Sequence, residues 1–236
     1  MKILFVLTCV VVSASAACKY SCSDHTMCIY PNIGPKCTNL KYSGVTKASD
    51  KQAVVDEHNR LRRIVAKGQE TRGSPGPQPG AQNMKKMQWS DEIATVAQRW
   101  ANQCSFGHDS CRNLDYYVGQ NVYISYSRGI AETDTQDWKT VTQALYKSVS
   151  SFIQHETTYP SSSKYNSGTG HYTQIVWANT HLIGCGFSAW TSNDGWFNKY
   201  YVCNYGPGGN IISTSMYTTG SACGQCSNSC NDGLCV

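Results

Sequence analysis

The sequence predicts a secreted α+β domain, and three observations carry that prediction. Helical and strand periodicities succeed one another along the central part, the first residues form a tripartite leader, and 13 cysteines are spread over 236 residues. Lys2 gives the leader a basic start. Ile3 to Val12 form an apolar stretch too short to span a bilayer, and Ser13-Ala14-Ser15-Ala16-Ala17 offers small residues for cleavage. Residues 1–17 are therefore expected to be a signal peptide. No later stretch approaches the ~20 apolar residues of a membrane span, so the mature chain is expected to be extracellular with no transmembrane segment.

Cleavage removes Cys9 and leaves 12 cysteines of the 13, an even count that reads as six disulfides in an oxidising compartment. The competing reading, a metal-thiolate cluster, belongs to reducing compartments. Loss of Lys2 takes the formal charge from +5 to +4, too mild for a nucleic-acid partner. The densest basic group, Arg60, Arg62, Arg63 and Lys67, is spaced as the solvated face of a helix. No asparagine stands in an Asn-x-Ser/Thr sequon, so conventional N-glycosylation is not expected.

Residues 18–44 are expected to form a cysteine-rich arm, irregular around Cys18, Cys22, Cys28 and Cys37. The first helix follows, with Ser49 and Gln52 as a capping box, Val54, His58, Leu61 and Val65 on one face, and Gly68 at its C-terminal end. Thr71 to Gly80 carries three prolines and is neither helix nor strand. A second helix starts at Ser90 as N-cap and runs through Ile93, Val96, Ala97 and Trp100 to Cys104. A third spans Asp137 to Phe152, with Val141, Leu145, Ser148 and Phe152 on one stripe. Strands are expected at Gln120–Tyr126, His171–Trp177, Gly184–Ala189 and Tyr200–Asn204, the last two joined by an Asn193-Asp194-Gly195 turn. Helices flanking such a sheet make a layered α+β domain. The final Cys223, Cys226, Cys230 and Cys235 fall in a segment too short for its own core, so cross-links must hold it. A zinc knuckle there would want histidine or another spacing.

Two stretches identify a family. Gly170-His171-Tyr172-Thr173-Gln174-Ile175-Val176-Trp177 and Tyr201-Val202-Cys203-Asn204-Tyr205-Gly206-Pro207-Gly208-Gly209-Asn210 resemble the two signature motifs of the CAP superfamily, the cysteine-rich secretory, antigen 5 and pathogenesis-related-1 proteins. The arm, Thr71 to Pro79, and Ala97-Gln98-Arg99-Trp100-Ala101-Asn102-Gln103-Cys104 are more specifically similar to insect venom antigen 5. The resemblance implies a three-layer α-β-α sandwich over residues 45–212. Residues 213–236 resemble the hinge of cysteine-rich secretory proteins, without the ion-channel-regulatory domain that follows it there.

Sequence alone leaves the cysteine connectivity open. The resemblance implies Cys18–Cys28, Cys22–Cys111, Cys37–Cys104, Cys185–Cys203, Cys223–Cys230 and Cys226–Cys235. It also implies a cleft in which two histidines and two acids converge. The histidines map to His108, in Phe106-Gly107-His108-Asp109, and to His171, a pair able to share zinc. The acids do not survive: Gln120 stands in Gly119-Gln120-Asn121 where the family has Glu, and alignment through Tyr146 puts Ser148 at the second place. Glu156, two turns further on, is a poor substitute. An amide cannot exchange protons near neutral pH, and Ser148 needs a base. Ser148 with His108 or His171 would make a nucleophile–base pair, but no oxyanion hole or orienting acid accompanies it.

His58, in Glu57-His58-Asn59, is expected to be structural, while His25, His155 and His181 are expected in solvated loops. Ser127-Arg128-Gly129 is followed by Ile130 where an integrin-binding loop needs an acid. The expected function is a non-enzymatic venom or salivary protein of the antigen 5 type, a scaffold toward host targets and an allergen. It requires no cofactor and holds any zinc weakly. The alternatives are carriage of a small apolar ligand such as a sterol or fatty acid and, behind it, ion-channel modulation or hydrolysis.

Overall fold

The two most apolar strands make the centre of the molecule. In this computed structural model, which describes residues 18–74, 76–151, 167–227 and 229–236, β4 (Leu182–Thr191) and β5 (Phe197–Gly206) form an antiparallel hairpin that sets Cys185 opposite Cys203. Its turn is the expected Asn193-Asp194-Gly195, with Gly195 at φ +83°, a left-handed conformation that suits glycine. β3 (Gly119–Ser127) pairs with β5, and β1 (Leu40–Ser43) pairs with β4, giving the order β1-β4-β5-β3. β2 (Gln88–Trp89) adds a short parallel pairing to β4. The arm thus contributes a strand to the main sheet.

One face carries α3 (Asp91–Ala101), started by Ser90, whose hydroxyl accepts the Ile93 N–H. The helix lies so close to β4 that a Cβ at Gly184 would sit 2.2 Å from the Ala94 nitrogen, and one at Gly186 2.5 Å from that of Gln98. Only glycine permits this approach. Ala97, Trp100 and Ala101 pack there against Val122, Tyr200 and Val202. The other face carries α2 (Ala48–Ala66), α4 (Trp138–Tyr146) and α5 (Gly170–Ile175), which bury Val54, Leu61, Val65, Trp138, Leu145, Tyr172 and Ile175 against Phe187, Tyr201 and Tyr205. This is the three-layer α-β-α sandwich expected above. α1 (Thr26–Ile29) and the arm lie outside α3. Disulfides join Cys18–Cys28, Cys22–Cys111, Cys37–Cys104, Cys185–Cys203, Cys223–Cys230 and Cys226–Cys235, the same pairs the resemblance implies.

Several local expectations are corrected. The segment expected as a His171–Trp177 strand is the helix α5, because its buried Tyr172, Ile175 and Val176 recur at spacings of three and four toward the helical layer. α2 begins at Ala48 with Lys47 as N-cap: the Asp50 and Lys51 N–H groups already bond the Lys47 carbonyl, so Ser49 is inside the helix. Gln52 donates instead to Asp56. The third helix is α-helical only to Tyr146 and tightens into a 3-10 turn over Lys147–Ser151. Ser148 bonds the Leu145 carbonyl there, a side-chain bond that competes with α-helical pairing.

Arg62 is not on a solvated face. It is fully buried, and its guanidinium donates to the carbonyls of Lys85, Ile175, Trp177, Ala178 and Thr180. His25 is likewise buried: Nδ1 accepts the Met27 N–H at the head of α1, and Nε2 donates to the Asn113 carbonyl at 3.0 Å. The tail folds back on α2 through a small hairpin, β6 (Cys230–Asn231) and β7 (Leu234–Cys235), burying Leu234 and pairing Asp232 with Arg63 and Lys67. The signal peptide expected over residues 1–17, Phe152, His155 and Glu156 lie outside the described residues.

Candidate functional site

β3 is an edge strand, and the two motif histidines approach that edge from opposite layers. Gln120 and Asn121 are adjacent on β3, so their side chains point to opposite faces. Gln120 meets the α3 side and Asn121 the α5 side.

On the α3 side, the loop after the helix is pinned at Gly107, whose carbonyl accepts both the Trp100 indole N–H at 2.9 Å and the Tyr200 hydroxyl at 2.8 Å. The next residue, His108, is exposed and donates through Nδ1 to Gln120 Oε1 at 2.9 Å. The Gln120 amide orientation follows from its surroundings, since Nε2 faces two acceptors, Asp109 Oδ1 and Asn204 Oδ1, each at 3.0 Å. Donating through Nδ1 fixes the His108 tautomer and leaves the Nε2 lone pair outward. Asp109 is buried and takes further bonds from Arg112 and the Thr26 hydroxyl. It is the one carboxylate of this network.

On the α5 side, His171 sits in the first turn of a short helix. Asn121 Nδ2 donates to the His171 carbonyl at 3.1 Å and touches the Tyr205 hydroxyl at 3.3 Å. Asn210, at the end of the second motif, donates to the Gly170 carbonyl at 2.9 Å and accepts the Thr173 hydroxyl at 2.7 Å. The Gly209 N–H meets Gln174 Oε1 at 3.0 Å, so the two sequence motifs build one structure. Ser148 accepts the Tyr172 N–H at 3.2 Å. Its hydroxyl is engaged with backbone at both ends, and the nucleophile–base pair with His108 or His171 is not formed.

Burial lowers the pKa of the half-buried His171, and a charge on His108 lowers it further, so the two rings are in electrostatic reach of each other. Among the described residues the His171 ring takes no hydrogen bond. His58 is a separate matter. Its Nδ1 donates to the Val54 carbonyl at 2.7 Å and its Nε2 accepts the Tyr205 hydroxyl at 3.0 Å, in full burial. His181 is partly exposed, with Nδ1 near the Asn179 carbonyl.

The only cluster of three metal-ligating side chains among the described residues is Cys22, Asp24 and Cys111. Its two sulfurs are joined to each other, so it offers no thiolate. Asp109 and Asn204, which decide what Gln120 does, were missed in the sequence. Adjacency to His108 was the one local signal for Asp109.

The class that the fold and site define is a disulfide-linked α-β-α sandwich with two histidines near one edge of its sheet. Residues 55–205 match the model of the cysteine-rich secretory protein family, CAP, and the chain belongs to that family. Venom allergen 3 of Solenopsis invicta is 43% identical over 205 residues, spanning 85% of this chain and 86% of its own length. Venom allergen 5 of Vespula maculifrons is 42% identical over 212 residues, 86% of this chain and 98% of its own. Among solved structures, zinc-bound NaASP2 is 31% identical with TM-score 0.68, covering 80% of this chain and 96% of that one. BmVAL-1 is 28% identical with TM-score 0.70, covering 81% and 96%. The chain is a CAP protein of the venom-allergen type.

Proposed function

We propose that the chain is a secreted, non-enzymatic CAP protein whose disulfide-hardened sandwich presents loops to a host target. Residues 1–17 act as the signal peptide, 18–44 as the arm, 45–212 as the CAP domain and 213–236 as a hinge-like tail. The carrying observation is the state of the two acid positions. The Gln120 amide is consumed by His108, Asp109 and Asn204, and the Ser148 hydroxyl by backbone. Among the described residues, neither of the groups standing at these two positions can take or give a proton near pH 7, as acid–base catalysis requires.

His108 Nε2 and the His171 imidazole fit a divalent metal as neutral nitrogen donors. Zinc bound to NaASP2 supports reading them as a zinc pair. With no third protein ligand among the described residues, such a site holds its ion weakly and exchangeably. Esterase, protease and phosphatase assays of the purified chain with and without added zinc test this reading. Turnover that is metal-dependent and vanishes in His171→Ala would overturn it.

A second reading is carriage of a small apolar ligand. Phe106, Tyr117, Ile211 and Ile212 stay exposed on segments adjoining the histidine pair. Extraction of the purified protein followed by mass spectrometry separates the two, since a scaffold comes out empty.

A further inference from the structure

The far end of β3 carries an aromatic and polar depression that the histidine cleft does not use. It is shallow, about 300 Å³, and is lined by Tyr126, Ser192, Asp194, Trp196 and Asn198. From Gln120 to Tyr126 the strand runs about 20 Å, so the two places are separate.

The lining is unusual in keeping two large rings in water, Tyr126 being 59% and Trp196 39% exposed. Cross-strand pairing sets Tyr126 directly opposite Asn198. Asn198 is itself buried, and its Nδ2 donates to the carbonyls of Trp190 and Trp196, which turns its Oδ1 away from the backbone. The Ser192 hydroxyl bonds Asp194 Oδ1 and the Trp196 carbonyl, holding the hairpin tip in place. Arg128 lies over the Trp196 ring, 5.9 Å from its centre. The platform is therefore braced from behind and from one side.

We propose that this depression is a carbohydrate-binding subsite for a neutral pyranose. A pyranose has a flat C–H face that suits an exposed aromatic ring, and equatorial hydroxyls that suit a carboxylate and a carboxamide side by side. Tyr126 and Trp196 supply the rings. Asp194 and Asn198 supply acceptors held by neighbours before any ligand arrives. The volume fits one or two sugar rings and is too shallow to bury an acyl chain, while the Asp194 carboxylate beside Arg128 removes the net charge a sulfated glycan would seek.

The test is saturation-transfer NMR and calorimetric titration of the full secreted chain with mannotriose, lactose and N,N′-diacetylchitobiose, with a heparin hexasaccharide as the charged probe. At least one neutral probe should bind with a Kd at or below ~5 mM, with transfer to ring-face protons. Tyr126→Ala and Trp196→Ala should each weaken it by ~3–10-fold, the worth of one aromatic contact. Tyr126→Phe should retain it, and His171→Ala, far away on α5, should leave it unchanged. Absence of binding to every neutral probe, binding confined to heparin, or binding indifferent to both ring deletions overturns the proposal.

Discussion

His108 donates its Nδ1 proton to Gln120 Oε1 at 2.9 Å, while the other end of the same amide donates to Asp109 and Asn204 at 3.0 Å each. An amide alone suits this place, because one end must accept and the other must donate. A carboxylate can accept from the histidine but has nothing to offer the two oxygens. Gln120 is therefore a fixed polar brace, and its amide cannot exchange protons near neutral pH.

Placing an acid at Gln120 should prove costly. Gln120→Glu sets a second carboxylate against buried Asp109 and removes two donated bonds, so we expect a loss of ~2–4 kcal/mol at pH 7. The like-charged pair raises one carboxyl above its unfolded value. The penalty should accordingly shrink as pH falls and that group takes a proton. Thermal unfolding of both chains from pH 7.5 to 5 reads this directly, and equal Tm values at pH 7 would contradict the brace.

Zinc should be a visitor to the cleft. Titration should show one weak site that is lost in His108→Ala and in His171→Ala alike. Chelators should leave Tm within ~1 °C, because a ligand near or below its Kd adds little to folding stability. A chelator-induced fall of several degrees would mean that the metal belongs to the fold.

Sequence reached the frame of the molecule because the frame is written in local and paired signals. Ser90 caps α3 by its own side chain, and Cys185 and Cys203 face each other across a hairpin whose turn is explicit in Asn193-Asp194-Gly195. His108 and His171 were legible through motif resemblance. What escaped is held by distant partners. Arg62 looks like a surface cation until carbonyls 113 to 118 residues away converge on it. His25 is buried where the Cys22–Cys111 bridge and the Thr26 N–H bond to the Cys111 carbonyl bring its segment against Asn113. Tyr172, Ile175 and Val176 satisfy a short apolar run in either secondary structure, and packing on the helical layer chose the helix.

Arg62 makes a strong stability prediction. Arg62→Met keeps much of the volume but strands the carbonyls of Lys85, Ile175 and Thr180, while those of Trp177 and Ala178 lose a bond and keep the N–H groups of Thr180 and Lys85. Each buried acceptor left alone costs ~1–3 kcal/mol before relaxation, so a total near 4 kcal/mol and a Tm drop on the order of 10 °C are expected. Hydrogen exchange should localise the loosening to residues 170–180. A variant as stable as the parent would show that the cluster is dispensable.

His58 sets the acid limit of the fold. Full burial pushes its pKa down to about 4, against about 6.5 for an exposed histidine. Folded His58 is neutral, with Nδ1 donating to Val54 and Nε2 accepting from Tyr205, an arrangement its protonated form cannot keep. Between the two pKa values the unfolded chain binds the extra proton, so stability is complete above pH 6.5 and declines as pH falls toward 4. This one group accounts for roughly 3 kcal/mol over that window. Burial lowers the pKa of His25 and His171 too, and both act with the same sign. His58→Gln should start from a lower Tm at pH 7.5 yet lose less of it by pH 4.5, and parallel Tm profiles for the two chains would assign the acid sensitivity elsewhere.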